Sequence, residues 1–293
     1  MRKQFVKTVE KILAENGKAI LLLGDIGVWG FREAFNKYPN RIYNIGILEQ
    51  STISLAAGLA KEGLIPIVHT IAPFLVERAY EQLKDDFGYQ ALGGNFVSVG
   101  ASYDYAALGC THHCPADIGA LSQIPGMEIV LPGTAEEFDS LFNQSYTNGR
   151  PTYFRLSERQ NTVSFKTEFG KAAVAQTGKL ATVIAVGPML NLVAEACKDV
   201  DVSVLYYNTI SPFDADTLID NCSTGKILIC EPYYSGALTA KITAALFPQS
   251  LIIDHLGMPR EFLTHYGHAE DHDRALGFTV ENIKQKVAEL IAL

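Results

Sequence analysis

In the run Asn44-Ile45-Gly46-Ile47-Leu48-Glu49-Gln50 a strand passes through a glycine into a helix that opens with Glu49, a place where a carboxyl group can hold or pass a proton. An acid in a first helical turn also suits the helix macrodipole with no chemistry at all. Behind Glu49 stand Ala56, Ala57, Gly58 and Ala60, small side chains that let another element pack closely. A second cluster is Gly109-Cys110-Thr111-His112-His113-Cys114-Pro115. Its two cysteines and two histidines fall within five consecutive residues, too tight to wrap one tetrahedral ion, and the usual zinc spacings are missing. A histidine pair on a loop suits hydrogen bonding or proton transfer near neutral pH. The third cluster is His265-Tyr266-Gly267-His268-Ala269-Glu270-Asp271-His272. His268 and His272 have the spacing of a helical metal pair, but the stretch reads equally as a solvated polar turn before the last helix. The run Gly24-x-x-Gly27-x-x-Gly30 follows a strand without being the dinucleotide fingerprint.

The elements that must position these residues alternate in type. Ala19–Leu23, Arg41–Ile45, Ile65–His69, Phe96–Val99 and Met127–Val130 read as strands, with helices at Ser51–Lys61, Phe74–Phe87 and Ala135–Tyr146. A polar, weakly periodic stretch, Ser157–Gly178, reads as a linker. The rhythm then restarts with strands at Ala181–Val186, Ser203–Tyr207, Ile227–Cys230 and Leu251–Asp254. Helices fall at Leu190–Cys197, Ala215–Asn221, Ala237–Ala245 and Thr279–Leu293. The pattern predicts an α/β protein of two domains, residues 1–165 and 166–293, each a mainly parallel sheet flanked by helices. In such sheets ligands gather at the carboxyl ends of strands.

Composition narrows the function. Hydrophobic residues make up 48% and charged ones 19%, the balance of a globular protein. Net charge is −8 with no Lys/Arg block, which argues against a nucleic-acid partner. No apolar run reaches the roughly 18–20 residues of a membrane span, and Phe5, Val9, Ile12 and Leu13 mark an amphipathic helix where a signal peptide would lie. The expectation is a cytoplasmic protein with no membrane partner. Five cysteines, an odd and sparse set, predict reduced thiols.

In order along the chain come Gly24-Asp25, Phe31-Arg32-Glu33-Ala34-Phe35, Pro39-Asn40-Arg41, Asn44–Gln50, Arg78-Ala79-Tyr80-Glu81-Gln82, Thr111-His112-His113, Ile124-Pro125-Gly126-Met127 and Leu131-Pro132-Gly133-Thr134-Ala135-Glu136-Glu137. Together they resemble the pyrimidine-binding domain of transketolase and deoxyxylulose-phosphate synthase, and Gly277–Ile283 is similar to the closing helix of their C-terminal domain. The resemblance spans nearly the whole chain. It implies a thiamine-diphosphate pyrimidine-binding fold followed by a transketolase C-terminal domain-like fold. The family's other half carries a Gly-Asp-Gly motif that holds metal and diphosphate, and no Gly-Asp-Gly occurs here. The resemblance therefore implies a split enzyme. An N-terminal transketolase-like subunit would supply the diphosphate-binding domain with Mg2+ or Ca2+, and self-association would give two copies of each chain.

Roles carry over residue by residue. Glu49 matches the glutamate that hydrogen-bonds a ring nitrogen of the cofactor's pyrimidine and favours its imino form. Gln50 could not replace it, having no proton to share. An ungapped match puts Leu75 at the position of the ring that stacks on the pyrimidine, with Phe74 beside it, and the flat ring is the better stacker. Asp25 falls near the family's acidic residue at the end of the first strand, which implies a part for it in ordering the cofactor pocket. His112 matches the histidine that bonds the donor's oxygen, with His113 beside it. The phosphate-binding arginine matches either Arg155 or Arg159. Leu108 stands where the family has an acid that reads a sugar hydroxyl, and Gly100 where it has a phosphate-gripping histidine. The resemblance implies transfer of a two-carbon ketol or related acyl-anion unit, and these departures imply an atypical small-molecule substrate. Other readings are a β-type chain of a 2-oxo acid dehydrogenase, which shares fold and glutamate, a non-catalytic assembly subunit, and plain nucleotide binding.

Overall fold

Five apolar residues in a row, Ala19–Leu23, are buried on both faces and form β1 at the interior of a parallel sheet. The computed structural model describes all residues, Met1–Leu293. With β1 run β2 (Ile42–Asn44), β3 (Ile65–Ile71), β4 (Gly94–Val99), β5 (Glu128–Val130) and β6 (Pro151–Arg155). A second sheet holds β7 (Ala173–Gln176), β8 (Thr182–Val186), β9 (Ser203–Tyr207), β11 (Lys226–Tyr234) and β12 (Ile252–Met258). Between β9 and β11 lies β10 (Thr209–Ser211), which crosses back to the first sheet. The orders are β10-β5-β6-β4-β3-β1-β2 and β12-β11-β8-β9-β7. Only β10 on β5 and β7 on β9 are antiparallel, so both sheets are mainly parallel as expected.

Helices cover both sheets. Arg2–Glu15 buries Phe5, Val9, Ile12 and Leu13 against β1 and the Ala135–Ser145 helix. One apolar core continues across the two sheets, from Ile20, Val68 and Phe96 through Leu131 and Tyr153 to Val186, Ile210 and Ile229. No helix is long and apolar enough to cross a membrane.

Several elements depart from the spacing. β6 ends in Arg155, a residue that interrupts an apolar run, yet every position of β6 is buried because Asp117 neutralises the arginine. β7 lies inside the stretch read as linker; it is an edge strand, so its residues need not be apolar on both faces. The span Phe74–Phe87 is helical but not regular: π-helical turns at Phe74–Arg78 and Leu83–Tyr89 flank a short α-helical segment, Tyr80–Gln82. The polar stretch His265–His272 is only partly a turn, since a helix runs Ala269–Leu276 with the Asp271 carboxylate accepting from the His268 amide at 2.9 Å. His268 stays exposed while His272 is buried on Tyr103, so the two do not converge.

Candidate cofactor-activating site

Asn44 ends β2, and its side chain ties two loops together. Its Oδ1 accepts from the amides of Asp25 (3.0 Å) and Gly46 (3.2 Å), and its Nδ2 donates to the Asp25 carboxylate at 3.1 Å. Gly46 takes φ +84°, a left-handed turn that suits glycine. The chain then enters the Glu49–Lys61 helix with Glu49 as its first residue, 3% exposed. Arg78 Nη1 donates to Glu49 Oε2 at 2.7 Å. Glu49 Oε1 is buried and has no hydrogen-bond partner, an uncommon state that leaves a strong acceptor for a ligand's donor. Asp25 shapes the neighbouring loop through Asn44.

Arg78 belongs to the π-helical turn Phe74–Arg78, which holds one more residue than an α-turn. Leu75 is fully buried in the core, whereas the Phe74 ring is half-buried beneath the Arg78 guanidinium, 4.1 Å from ring centre to Cζ. The same ring meets His112 edge-on, centroids 5.3 Å apart. Thr111 Oγ1 lies 3.0 Å from His112 Nδ1. Glu49, Arg78, Phe74 and His112 therefore form one contiguous chain of contacts at the carboxyl ends of the strands. Spacing alone gives Arg78 no role; its signal is the Arg78-Ala79-Tyr80 run itself.

The remaining positions divide. His113 turns away from this group and is buried edge-on against His272 at 5.8 Å, its Nε2 without a partner. Burial, then the neighbouring His272 and His112, push its pKa below the usual histidine value. Arg155 is 2% exposed: its Nε donates to Asp117 Oδ2 at 2.6 Å and its Nη2 to Ser102 Oγ at 2.7 Å, which leaves it deep between the domains. Arg159 is partly exposed and paired with Asp273 of the second domain. Both arginines border a polar cavity of about 380 Å³ between the domains. A larger one, about 510 Å³, opens at the carboxyl ends of β4 and β6, rimmed by Arg2, Lys3 and Lys7. In the sequence these cations read as no more than the polar face of an ordinary helix. Tyr105 lies against Gly100 there, so close that a Cβ on residue 100 would sit 2.6 Å from its ring. Leu108 is exposed.

Residues 1–163 match the transketolase pyrimidine-binding domain. The chain belongs to the transketolase family. Among its relatives, an uncharacterized 33.6 kDa protein in the fasciation locus of Rhodococcoides fascians is 34% identical, over 97% of this chain and 92% of that one. One subunit of the apulose-4-phosphate transketolase of Phocaeicola vulgatus is 27% identical, over 99% and 97%. A solved split-gene transketolase, described as an inactive β4 tetramer, superposes with a TM-score of 0.87 over 100% of this chain and 98% of that one, at 24% identity, a likeness of fold. As a transketolase-family subunit the chain is a C-terminal one: the pyrimidine-binding match is followed by the second sheet, with no other domain between.

Proposed function

We propose that this chain is the cofactor-activating subunit of a split, transketolase-like thiamine-diphosphate enzyme, in which Glu49 engages the pyrimidine ring of the cofactor. The observation that carries the reading is Glu49 Oε1, buried and unpartnered, with Arg78 linking the other carboxyl oxygen to the half-buried ring of Phe74. An open carboxyl oxygen near an aromatic ring suits a flat heterocycle whose ring nitrogen shares one proton with it. Thiamine diphosphate, when bound, supplies a nucleophilic carbon and an electron sink.

The chain's own residues prepare that chemistry. Arg78 fixes Oε2 of Glu49, so the carboxyl group can share a proton only through Oε1. Phe74 stacks on the ring, and His112 hydrogen-bonds the donor substrate's oxygen from the same side. A cavity rimmed by Arg2, Lys3 and Lys7 suits an anionic group on the substrate, and Arg159 borders the next cavity. Arg155 supports the loops from below.

A partner chain completes the enzyme. The loop and helix that carry Glu49 expose Ile47, Leu48 and Leu55, large apolar groups of the kind that mark a protein–protein contact. On the Glu49–Lys61 helix, Ser51, Leu55 and Gly58 line one exposed face that Leu48 continues at its N-terminal cap, and Gly58 has open space before it. No three His, Cys, Asp or Glu side chains of this chain converge, and we assign the divalent metal and the diphosphate to the partner. The apulose-4-phosphate transketolase relative is itself named as one subunit, which supports an enzyme of more than one kind of chain acting on carbohydrate. Two copies of each chain would form the assembly.

The test is Glu49→Gln in the enzyme assembled with its partner. The amide keeps the shape and an acceptor for Arg78, but its N–H protons are not acidic enough to be transferred. Transfer should fall by at least about 10³-fold, the upper range for a general acid–base group, with folding and assembly unchanged. Turnover within tenfold of wild type would remove the reading.

A further inference from the structure

The loop that carries His112 is held from outside its own domain. Gly109 has φ +74° and ψ −169°, and a Cβ built on it would lie 2.7 Å from Tyr266 Cε1 and 3.1 Å from Cζ. The Tyr266 ring therefore rests on the Gly109 backbone. That backbone is the anchor of the turn, since the Gly109 carbonyl accepts from the His112 amide at 3.0 Å. Tyr266 lies on the irregular segment between β12 and the Ala269–Leu276 helix, in the second domain. The same segment brings Glu261, Phe262 and Leu263 around a cavity of about 70 Å³ shared with Cys110 and His113 of the loop and with Glu77. One helix further on, His272 meets His113. The second domain thus touches the loop on both sides of His112. Although it packs on backbone, Tyr266 is 72% exposed, and its hydroxyl makes no hydrogen bond. Neither folding nor a polar contact explains an aromatic ring there.

We propose that Tyr266 is a positioning residue for His112: its ring clamps the Gly109 peptide and so fixes the turn that aims the imidazole. The inference rests on the role proposed for His112. The contact is made by the far end of the ring, Cε1 and Cζ with the hydroxyl oxygen 3.3 Å from the same Cβ position, and uses no hydrogen bond, so phenylalanine should largely replace tyrosine and alanine should not. A small misplacement of a positioned group lowers turnover by about 10- to 100-fold.

The experiment compares Tyr266→Ala and Tyr266→Phe in the assembled, cofactor-loaded enzyme, with and without His112→Ala, and follows amide hydrogen exchange over residues 106–114. In Tyr266→Ala we expect faster exchange at 110–113 and a kcat about tenfold lower or more, with Tyr266→Phe close to wild type on both measures. In the His112→Ala background, Tyr266→Ala should cause no further loss, because the two act through one group. Unchanged exchange in Tyr266→Ala, or losses that multiply in the double variant, would overturn the proposal. If His112→Ala alone leaves turnover intact, the histidine's role fails, and the exchange result still decides whether the clamp exists.

Discussion

Buried side chains that lack a partner are the informative ones at the residue scale, and Glu49 is not alone. His69, wholly buried in β3, donates through Nδ1 to the Val97 carbonyl at 2.8 Å, while its Nε2 has no partner. Desolvation holds it neutral and lowers its pKa to about 4. The unfolded chain takes up that proton near pH 6.5 and the folded chain refuses it. His69 therefore subtracts stability as pH falls from about 6.5 to about 4, about 3 kcal/mol in all, and nothing more below that. His69→Asn, which retains a donor for Val97, should flatten this part of the pH–stability curve. Urea midpoints for both proteins at pH 7 and pH 4.5 measure it; parallel curves would refute the assignment. Phe74 and Leu75 form a second pair. Leu75→Ala should lower stability by about 2–5 kcal/mol, as core truncations do. Phe74→Ala should leave stability nearly intact and weaken thiamine-diphosphate binding by the assembled enzyme, which calorimetry can read.

At the scale of elements, the turn Phe74–Arg78 sends Leu75 into the core and leaves the Phe74 ring against Arg78 and His112. Spacing arguments assume 3.6 residues per turn, and an ungapped match assumes it as well. A π-helical turn breaks that assumption by one residue, and no local composition announces it. Deleting Glu77 should restore a regular turn, separate Phe74 from Arg78 and abolish cofactor binding, with far-ultraviolet circular dichroism unchanged; retained binding would show that the irregular turn is dispensable. Elsewhere legibility follows burial. The runs at β1, β8 and β9 are plain because both faces are covered, whereas β6 is hidden by Arg155, whose charge is cancelled by Asp117, distant in sequence. Glu49 and His112 can be picked out by their motifs. Arg78 stands in the Arg78-Ala79-Tyr80 run but its role shows only in its contact with Glu49, and Tyr266 stands in no motif of the resemblance, since its contact with Gly109 is made across the fold.

At the scale of the molecule, two sheets are joined by more than a linker. Arg155 and Asp117 bond each other, Tyr153 donates to the same Asp117 oxygen at 2.9 Å, and Ser102 donates to the Pro232 carbonyl across the boundary. Removing one member of a buried pair costs about 3–5 kcal/mol, so Asp117→Ala should destabilise both domains in one transition. Scanning calorimetry would show a single, lowered peak; two separated peaks would mean the domains melt independently. Gly133 belongs to the same seam: a Cβ there would run into Asn161 Nδ2 and the Tyr206 hydroxyl. We place the domain boundary between residues 165 and 166, yet a fragment ending at 165 lacks β10 and should not fold cooperatively on its own.

The return of Thr209–Ser211 to pair with Ile129 and Val130 also orders events on the ribosome. The first sheet cannot close until more than fifty residues beyond β6 have been synthesised, a wait of roughly 3–10 seconds at ordinary translation rates. During that interval the nascent polypeptide presents an unpaired strand, so slowing codon usage across 156–211 should lengthen its exposure to chaperones and to aggregation.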